Sequence, residues 1–166
     1  MKSATRVAAL ILAAALGWWI WRTFFPSPET IIRQRLVKLA HAASFSEADG
    51  ALSKLASARS VPDYFAPQID VMLDLPGRLR HSFADREEIS QAALASRQGQ
   101  GLSVHFPDIT VAVNPGGDSA VADVTLNARI AGDRDEIVEE LQITFLKTND
   151  DWLIRRVQSV QPVTLQ

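Results

Sequence analysis

The side chains that could do chemistry in this sequence are few, and none forms a known catalytic or metal-binding spacing. The chain has no cysteine, which excludes disulfides, thiolate nucleophiles and cysteine-ligated metals. His41, His81 and His105 could each act as a base or a metal ligand, but no HExxH or comparable motif connects them. We therefore expect structural or surface roles for the histidines, and we predict neither a metal nor a cofactor.

Glu139 is an acidic residue that strand periodicity places on an apolar face. It shares its alternation with Leu141, Ile143 and Phe145, so its side chain could point into a pocket. The alternative is a solvated position at the strand end, beside the charged turn "DRDE", and we favour that position. A buried carboxylate would have a raised pKa and would mark a pocket.

Two helical segments are predicted to precede the first strand. The sequence "SPET" at 27–30 offers a capping serine, a proline for the first helical position and an acid that complements the helix dipole. This helix is predicted to run to about Ser44, with an apolar stripe of Ile32, Leu36, Leu39 and Ala43. Residues 47–66 form a second, shorter helical region that Pro62 interrupts. The residues expected to face inward there are Leu52, Leu55 and Ala56.

A short strand and a third helix follow. Residues 69–77, "IDVMLDLPG", alternate apolar and polar side chains and predict the strand. Residues 84–98 predict the helix, because Asp85 and Glu88 have the spacing of a capping box. His81 is expected in the loop that precedes this helix.

From Leu102 onward the apolar period changes to two and predicts four long antiparallel strands. Pro107 shifts the phase of the first of them and indicates a β-bulge. The predicted turns are 114–118, 131–135 and 148–151. The last strand begins at Trp152, a predicted core residue, and runs to about Val163. Helices that precede a meander indicate an α+β domain, with the helices covering one face of a curved sheet.

This order of elements resembles the nuclear transport factor 2-like superfamily, which includes ketosteroid isomerases, scytalone dehydratase and polyketide cyclases. The resemblance covers about residues 27–163. It rests on the order of elements, on "PDYFAPQIDVMLDLPG" leading into "REEI", and on the closing "DDWLIRRV". It implies a cone-shaped, cystatin-like α+β domain over residues 27–166, with three helices on a curved, mostly antiparallel sheet and a pocket between them.

The resemblance also implies one catalytic candidate. Ketosteroid isomerases use an aspartate base with an oxyanion hole made by a tyrosine and a protonated aspartic acid. Asp74 falls near the position of that base, but the first helix has Leu36 or a neighbour where the tyrosine would be. The only tyrosine, Tyr64, lies elsewhere in the sequence. Because an oxyanion hole is usually the largest catalytic contribution, we interpret Asp74 as a polar residue on the other face of a short strand.

The N-terminal residues 1–26 predict a transmembrane anchor. Residues 7–21 are apolar without interruption and follow Lys2 and Arg6. A helix from residue 7 to residue 25 would be ~28 Å long, close to the ~30 Å hydrocarbon core of a bilayer. The side chains expected at the membrane interface, as an aromatic belt with a snorkelling arginine, are Trp18, Trp19, Trp21, Arg22, Phe24 and Phe25.

The orientation of this anchor follows from charge. Basic residues before the span favour a cytoplasmic N-terminus, which places the following domain in the periplasm at a bacterial inner membrane. The alternative is a secretory signal cleaved near residues 13–15. Cleavage there would leave a very short apolar region and put Trp18 and Trp19 at the new N-terminus, so we favour the retained, single-pass anchor.

The charge balance and the missing oxyanion tyrosine favour binding over catalysis. Three of the 17 basic side chains lie in the apolar N-terminal segment, so the remaining domain, with all 19 acids, is a poor partner for nucleic acid. We predict a periplasm-facing, non-catalytic binding or scaffold module that could be an accessory subunit of a membrane protein complex, with the lipid bilayer and other membrane or periplasmic proteins as partners. The alternative is a small-molecule isomerase or dehydratase-type enzyme with Asp74 as base, assisted by Tyr64 or Glu139.

The outer face of the predicted sheet bears on oligomeric state. Polar side chains share that face of two neighbouring strands, among them Asp123, Thr125, Glu140 and Gln142. In many members of the resembled superfamily this face forms a dimer. A solvated face and a wet homodimer interface both fit such a surface.

Overall fold

The computed structural model describes residues 26–73, 81–149 and 151–160, and for His81 the backbone alone. Within these ranges no helix is long and apolar enough to cross a bilayer. Several sequence predictions lie outside the described residues: the anchor with Trp18, Trp19, Trp21, Arg22, Phe24 and Phe25, and the candidate base Asp74.

The described residues form three α-helices and six strands, in an order that the sequence predicts except for one added strand. The helices are α1 (Pro28–Ala43), α2 (Ala51–Ser60) and α3 (Arg86–Ser96), and a 3-10 turn (Val61–Tyr64) follows α2. The strands are β1 (Phe65–Leu73), β2 (His81–Asp85), β3 (Leu102–Val113), β4 (Ser119–Ile130), β5 (Glu136–Thr148) and β6 (Asp151–Ser159).

The six strands form one mixed sheet in the order β2-β1-β6-β5-β4-β3. Neighbouring strands are antiparallel except β1 and β6, which pair in parallel. The register of β3 on β4 shifts between His105 and Asp108, which confirms the bulge predicted at Pro107. A second shift, next to Phe145, leaves Arg155 of β6 unpaired with β5. Bulges of this kind bend strands and curve the sheet around the helices.

The core lies between one face of this sheet and the helices. Ile32 and Leu36 of α1 are almost fully buried, as are Phe145, Trp152 and Ile154 of the central strands. Ser27 begins α1 as predicted: it precedes Pro28 and its side chain accepts a hydrogen bond from the backbone of Thr30. The buried side chains of α1 recur with the helical period, so they form an apolar stripe that packs on the sheet.

The predicted inward face of α2 is wrong. Leu52 is 83% exposed and Ala56 is exposed, whereas Ala58 is completely buried. The helix packs through its C-terminal end, where the 3-10 turn buries Val61 and Pro62. The buried residues thus lie at the end of α2 and in the turn that follows it, whereas Leu52, near the start of the helix, extends into solvent.

Two predictions about the β1–β2 hairpin are also wrong. His81 does not lie in a loop but begins β2, where it pairs with Leu73 of β1. β1 itself begins at Phe65, four residues before the predicted start. The alternation of β1 is broken by register shifts before Val71, and β2 contributes a single inward apolar side chain, Phe83, so neither strand shows a clear period.

The start of α3 gives a first testable prediction. Asp85 caps the helix, since its Oδ1 accepts from the backbone N–H of Glu88 at 2.9 Å, while Glu88 Oε2 accepts from Ala84 N at 2.7 Å. Asp85→Ala should lower the free energy of unfolding by ~1 kcal/mol, whereas Asp85→Ser, which can still cap, should lower it far less. Urea unfolding of both variants measures the difference, and equal losses would show that the cap is not the cause.

Candidate functional site

An apolar cavity of about 360 Å³, partly open to solvent, lies between the helices and the sheet. We call it the cone cavity. Its walls come from α1, α3, the 3-10 turn and both edges of the sheet, and include Leu39, Leu73, Phe83, Ile89, Val104 and Phe106. Strands from opposite edges of the sheet can line one space because the sheet curves around the helices.

The cavity exists because the two lining helices present small side chains. Ala40 and Ala43 face it from α1, and Ala92 and Ala93 face it from α3. A larger residue at these positions would fill the space that the alanines leave. The small side chains of the two helices therefore leave the cavity open. Its volume of about 360 Å³ is at the lower end of the ~300–1,000 Å³ range of ligand pockets.

Two polar side chains, Ser96 and Arg97, belong to the lining, both at the end of α3. Ser96 Oγ donates to the carbonyl of Ala93 at 2.8 Å, so its hydroxyl proton is already used. The guanidinium of Arg97 donates from Nη2 to Ala42 O at 2.6 Å and from Nη1 to Ala43 O at 2.8 Å. It thereby satisfies carbonyls at the C-terminal end of α1, where a positive charge is favourable.

The environment of Arg97 is partly buried and aromatic. Its guanidinium carbon lies 4.4 Å from the ring centroid of Phe45, in cation–π geometry. Burial lowers the pKa of Arg97 from its ordinary value, and the nearby negative charge of Asp49 opposes this shift. Its Nε is buried and has no hydrogen-bond partner.

Comparison with known proteins identifies the fold. No family model matches the sequence, and no curated protein matches it. A nuclear transport factor 2-like protein of unknown function from Pseudomonas putida superposes with a TM-score of 0.59 at 14% identity, over 81% of this chain and 86% of that chain. The fold is nuclear transport factor 2-like.

Other solved structures support the same fold. A nuclear transport factor 2-like protein with a cystatin-like fold from Novosphingobium aromaticivorans gives a TM-score of 0.55 at 18% identity, over 89% of this chain and 86% of that chain. A candidate scytalone dehydratase from the same organism gives 0.56 at 14% identity, over 80% and 83% of the two chains. At these identities the likeness shows the nuclear transport factor 2-like fold and no activity.

Tyr64 lies outside the lining of the cone cavity. It borders a separate surface groove of about 340 Å³, with Arg35 and Lys38. The guanidinium of Arg35 lies 5.3 Å from the centroid of the Tyr64 ring and donates to Asp63 O at 2.9 Å. The only tyrosine of the chain thus packs under an arginine at the edge of the nuclear transport factor 2-like domain.

The two acidic candidates have different positions. Glu139 is half-buried on β5, opposite Leu126 of β4 and on the same side as Leu141, but it does not line the cone cavity. Asp74 lies outside the described residues, directly after Leu73, which does line the cavity. Neither described candidate, Tyr64 or Glu139, lines the cone cavity.

The described histidine side chains lie on the surface. His41 is exposed on α1, and His105 is exposed on the outer sheet face, opposite Asn127. Among the described residues, no three His, Asp or Glu side chains cluster as metal ligands would.

The outer face of the sheet carries a polar network. Gln142 Nε2 donates to Asp123 Oδ1 at 3.1 Å, and Gln158 Nε2 donates to Gln142 Oε1 at 3.0 Å, which links three neighbouring strands. Arg156 pairs with Asp70 at 2.9 Å on the same face. These side chains satisfy one another across the nuclear transport factor 2-like sheet.

Arg97 is a lining residue that the sequence analysis missed. A basic residue after the last turn of a helix is common and was not distinctive. Its acceptors, Ala42 and Ala43, lie 55 and 54 residues earlier in the chain. No local pattern connects positions so far apart.

Proposed function

We propose that this chain is a non-catalytic binding module whose cone cavity takes up an apolar molecule. Its N-terminal segment would hold it at the bacterial inner membrane with the domain in the periplasm, as a binding or accessory subunit beside other membrane proteins. The observation that carries the proposal is the lining of the cone cavity, which is apolar apart from Ser96 and Arg97.

The chemistry of this lining supports binding. Apolar cavities of this kind are poorly hydrated and accept apolar guests, because burying apolar surface contributes ~25 cal/mol per Å². The two polar lining side chains are poor bases: the Ser96 hydroxyl is a weak base with no adjacent base described to activate it, and an arginine remains protonated in proteins. The described lining therefore offers desolvation and one positive charge.

The position of the domain in the chain supports uptake from a membrane. α1 begins at Pro28, directly after the apolar N-terminal segment that ends near Phe25. A domain joined to an anchor by so short a connection would stay close to the bilayer surface. Apolar molecules are concentrated in the bilayer, so such a cavity would have a ready source of ligand.

One observation favours the alternative, an isomerase or dehydratase-type enzyme. Asp74 directly follows Leu73, a residue of the cavity wall, so a carboxylate is close to the cavity in sequence. The proposed assistants Tyr64 and Glu139 do not line the cavity. The candidate scytalone dehydratase among the similar structures shares this fold at 14% identity. If Asp74 were a catalytic base, Asp74→Asn would abolish turnover of a bound molecule. If the domain only binds its ligand, Asp74→Asn should leave ligand uptake nearly unchanged.

Filling the cone cavity should abolish ligand uptake. Ala93→Trp places a large side chain in the cavity from α3, and Ala43→Phe does so from α1. With the full chain in lipid nanodiscs, a neutral alkyl diazirine probe should label peptides of the cavity wall in the native protein and lose at least ~90% of that labelling in the filled variants, since overpacked space admits no guest. Mass spectrometry of the labelled peptides gives the measurement.

The matched control is Ala95→Trp, which adds the same side chain at an exposed position of α3. It should keep native labelling. Equal labelling in all variants would place the probe outside the cavity and refute the proposed site. Carbonate extraction of bacterial membranes tests the anchor separately: retention in the pellet supports it, and release of the full-length chain would contradict it.

A further inference from the structure

We propose that the ligand of the cone cavity is an amphiphilic anion of the fatty-acid class, and that Arg97 binds its carboxylate. This inference rests on the proposed function, because it assumes that the cavity is occupied by a guest. It adds the chemical class of that guest and the residue that selects it.

Arg97 places a single charge at the cone cavity. Among the described residues that line the cone cavity, Arg97 is the one with a charged side chain, and the others are apolar apart from Ser96. An apolar cavity with one cation at its boundary matches a ligand that has an apolar chain and one anionic head group. A purely apolar ligand would gain nothing from the cation, which partial burial makes costly.

Arg97 has hydrogen-bonding capacity that its contacts leave unused. A guanidinium has five N–H donors, and two of them are occupied by the neutral carbonyls of Ala42 and Ala43. Nη1 and Nη2 each keep one N–H that these two bonds do not use, whereas the buried Nε is closed to a ligand. A carboxylate oxygen can accept a charge-assisted hydrogen bond from the Nη atoms, for which arginine geometry is well suited.

Arg97 lacks an ion-pair partner among the described residues. No carboxylate lies within ion-pair distance of Arg97 in the part of the chain that the structure describes. Asp49 acts on it only at longer range, and Asp49 Oδ2 accepts the backbone N–H of Ser46 at 2.7 Å. Lys54 adds positive charge nearby, with its Nζ 5.9 Å from the ring centroid of Phe45. A carboxylate ligand would therefore displace no ion-pair partner of Arg97 among the described residues.

The guanidinium of Arg97 is preorganised. The Phe45 ring and the two helix carbonyls hold the guanidinium in place before any ligand binds. A cation fixed in this way loses little conformational entropy when it takes up a carboxylate. The competing interpretation is that Arg97 only caps the end of α1, in which case the head group of a guest would not matter.

Competition between two ligands that differ only in head group separates these interpretations. The full chain in nanodiscs is labelled with the neutral alkyl diazirine probe, and decanoate or decanol is added as competitor at pH 8.5. The quantity compared is the concentration at which each competitor suppresses the labelling by half. The ratio of this concentration for decanol to that for decanoate should be at least about tenfold higher in the native protein than in Arg97→Gln under identical conditions, as one charge-assisted contact implies. The comparison between variants cancels the different partitioning of the two competitors into lipid.

The controls make each result decisive. Arg59→Gln removes an exposed arginine of α2 and should keep the native preference, while Arg97→Lys should keep part of it because the charge remains. An unchanged decanoate-to-decanol ratio in Arg97→Gln would overturn this inference, yet leave the proposed function standing. If Arg97→Gln does not fold, Arg97→Met removes the charge in its place, and an unchanged ratio there overturns the inference equally. Absence of any cavity labelling in the native protein would instead refute the proposed function itself.

Discussion

Trp152→Ala is expected to lower the free energy of unfolding by ~3–5 kcal/mol, the range for deleting a large aromatic side chain from a core. Trp152 is 1% exposed and lies on β6, which pairs with both β1 and β5 near the middle of the sheet. Domains of this size are stable by only ~5–15 kcal/mol, so the loss would be a large part of the total. Urea unfolding of the full chain in mild detergent, followed by pulse proteolysis, measures it.

A matched control shows whether burial is the cause. Val138 lies on the same sheet, in β5, and is 56% exposed. Val138→Ala should change stability by no more than ~0.5 kcal/mol, as is usual for surface positions. Comparable losses in the two variants would contradict the core described above.

Leu36→Ala is expected to cost ~2–5 kcal/mol, whereas Leu52→Ala should cost no more than ~0.5 kcal/mol. The two substitutions are chemically identical, and both leucines lie on helices. They differ in burial, since Leu36 is 1% exposed and Leu52 is 83% exposed. The same urea assay compares them directly.

This pair also tests the correction to α2. The sequence period predicts that Leu52 faces inward, and a large loss in Leu52→Ala would restore that prediction. A large loss in Leu36→Ala alone supports the described packing, in which α2 is held through Ala58 and the 3-10 turn.

Local signals explain which parts of the fold could be predicted. The alternation of β3 to β6 sets one face of each strand against the core, and Pro107 reveals the bulge because proline cannot donate to the strand ladder. The caps of α1 and α3 depend on Ser27 and Asp85, each within three residues of the backbone N–H that it satisfies. Interactions of such short range can be read from the sequence.

The features that were not predicted correctly depend on contacts between residues that are far apart in the sequence. The face that α2 buries is decided by its neighbours, and β2 is defined by pairing with β1 and not by its own period. The cone cavity depends on alanines of α1 and α3 that line the same space, and the position of the Arg97 guanidinium depends on backbone carbonyls of α1. A single sequence contains these residues but not their proximity.

The central claim is that the cone cavity holds an apolar guest, and native mass spectrometry tests it most directly. The full chain and its Ala93→Trp variant are each released from nanodiscs after incubation with an equimolar mixture of decanoate and decanol. We expect one bound ligand per native chain and none in the variant, because the tryptophan occupies the space that the guest needs. Equal ligand occupancy in the two proteins, or no ligand in either, would contradict the claim.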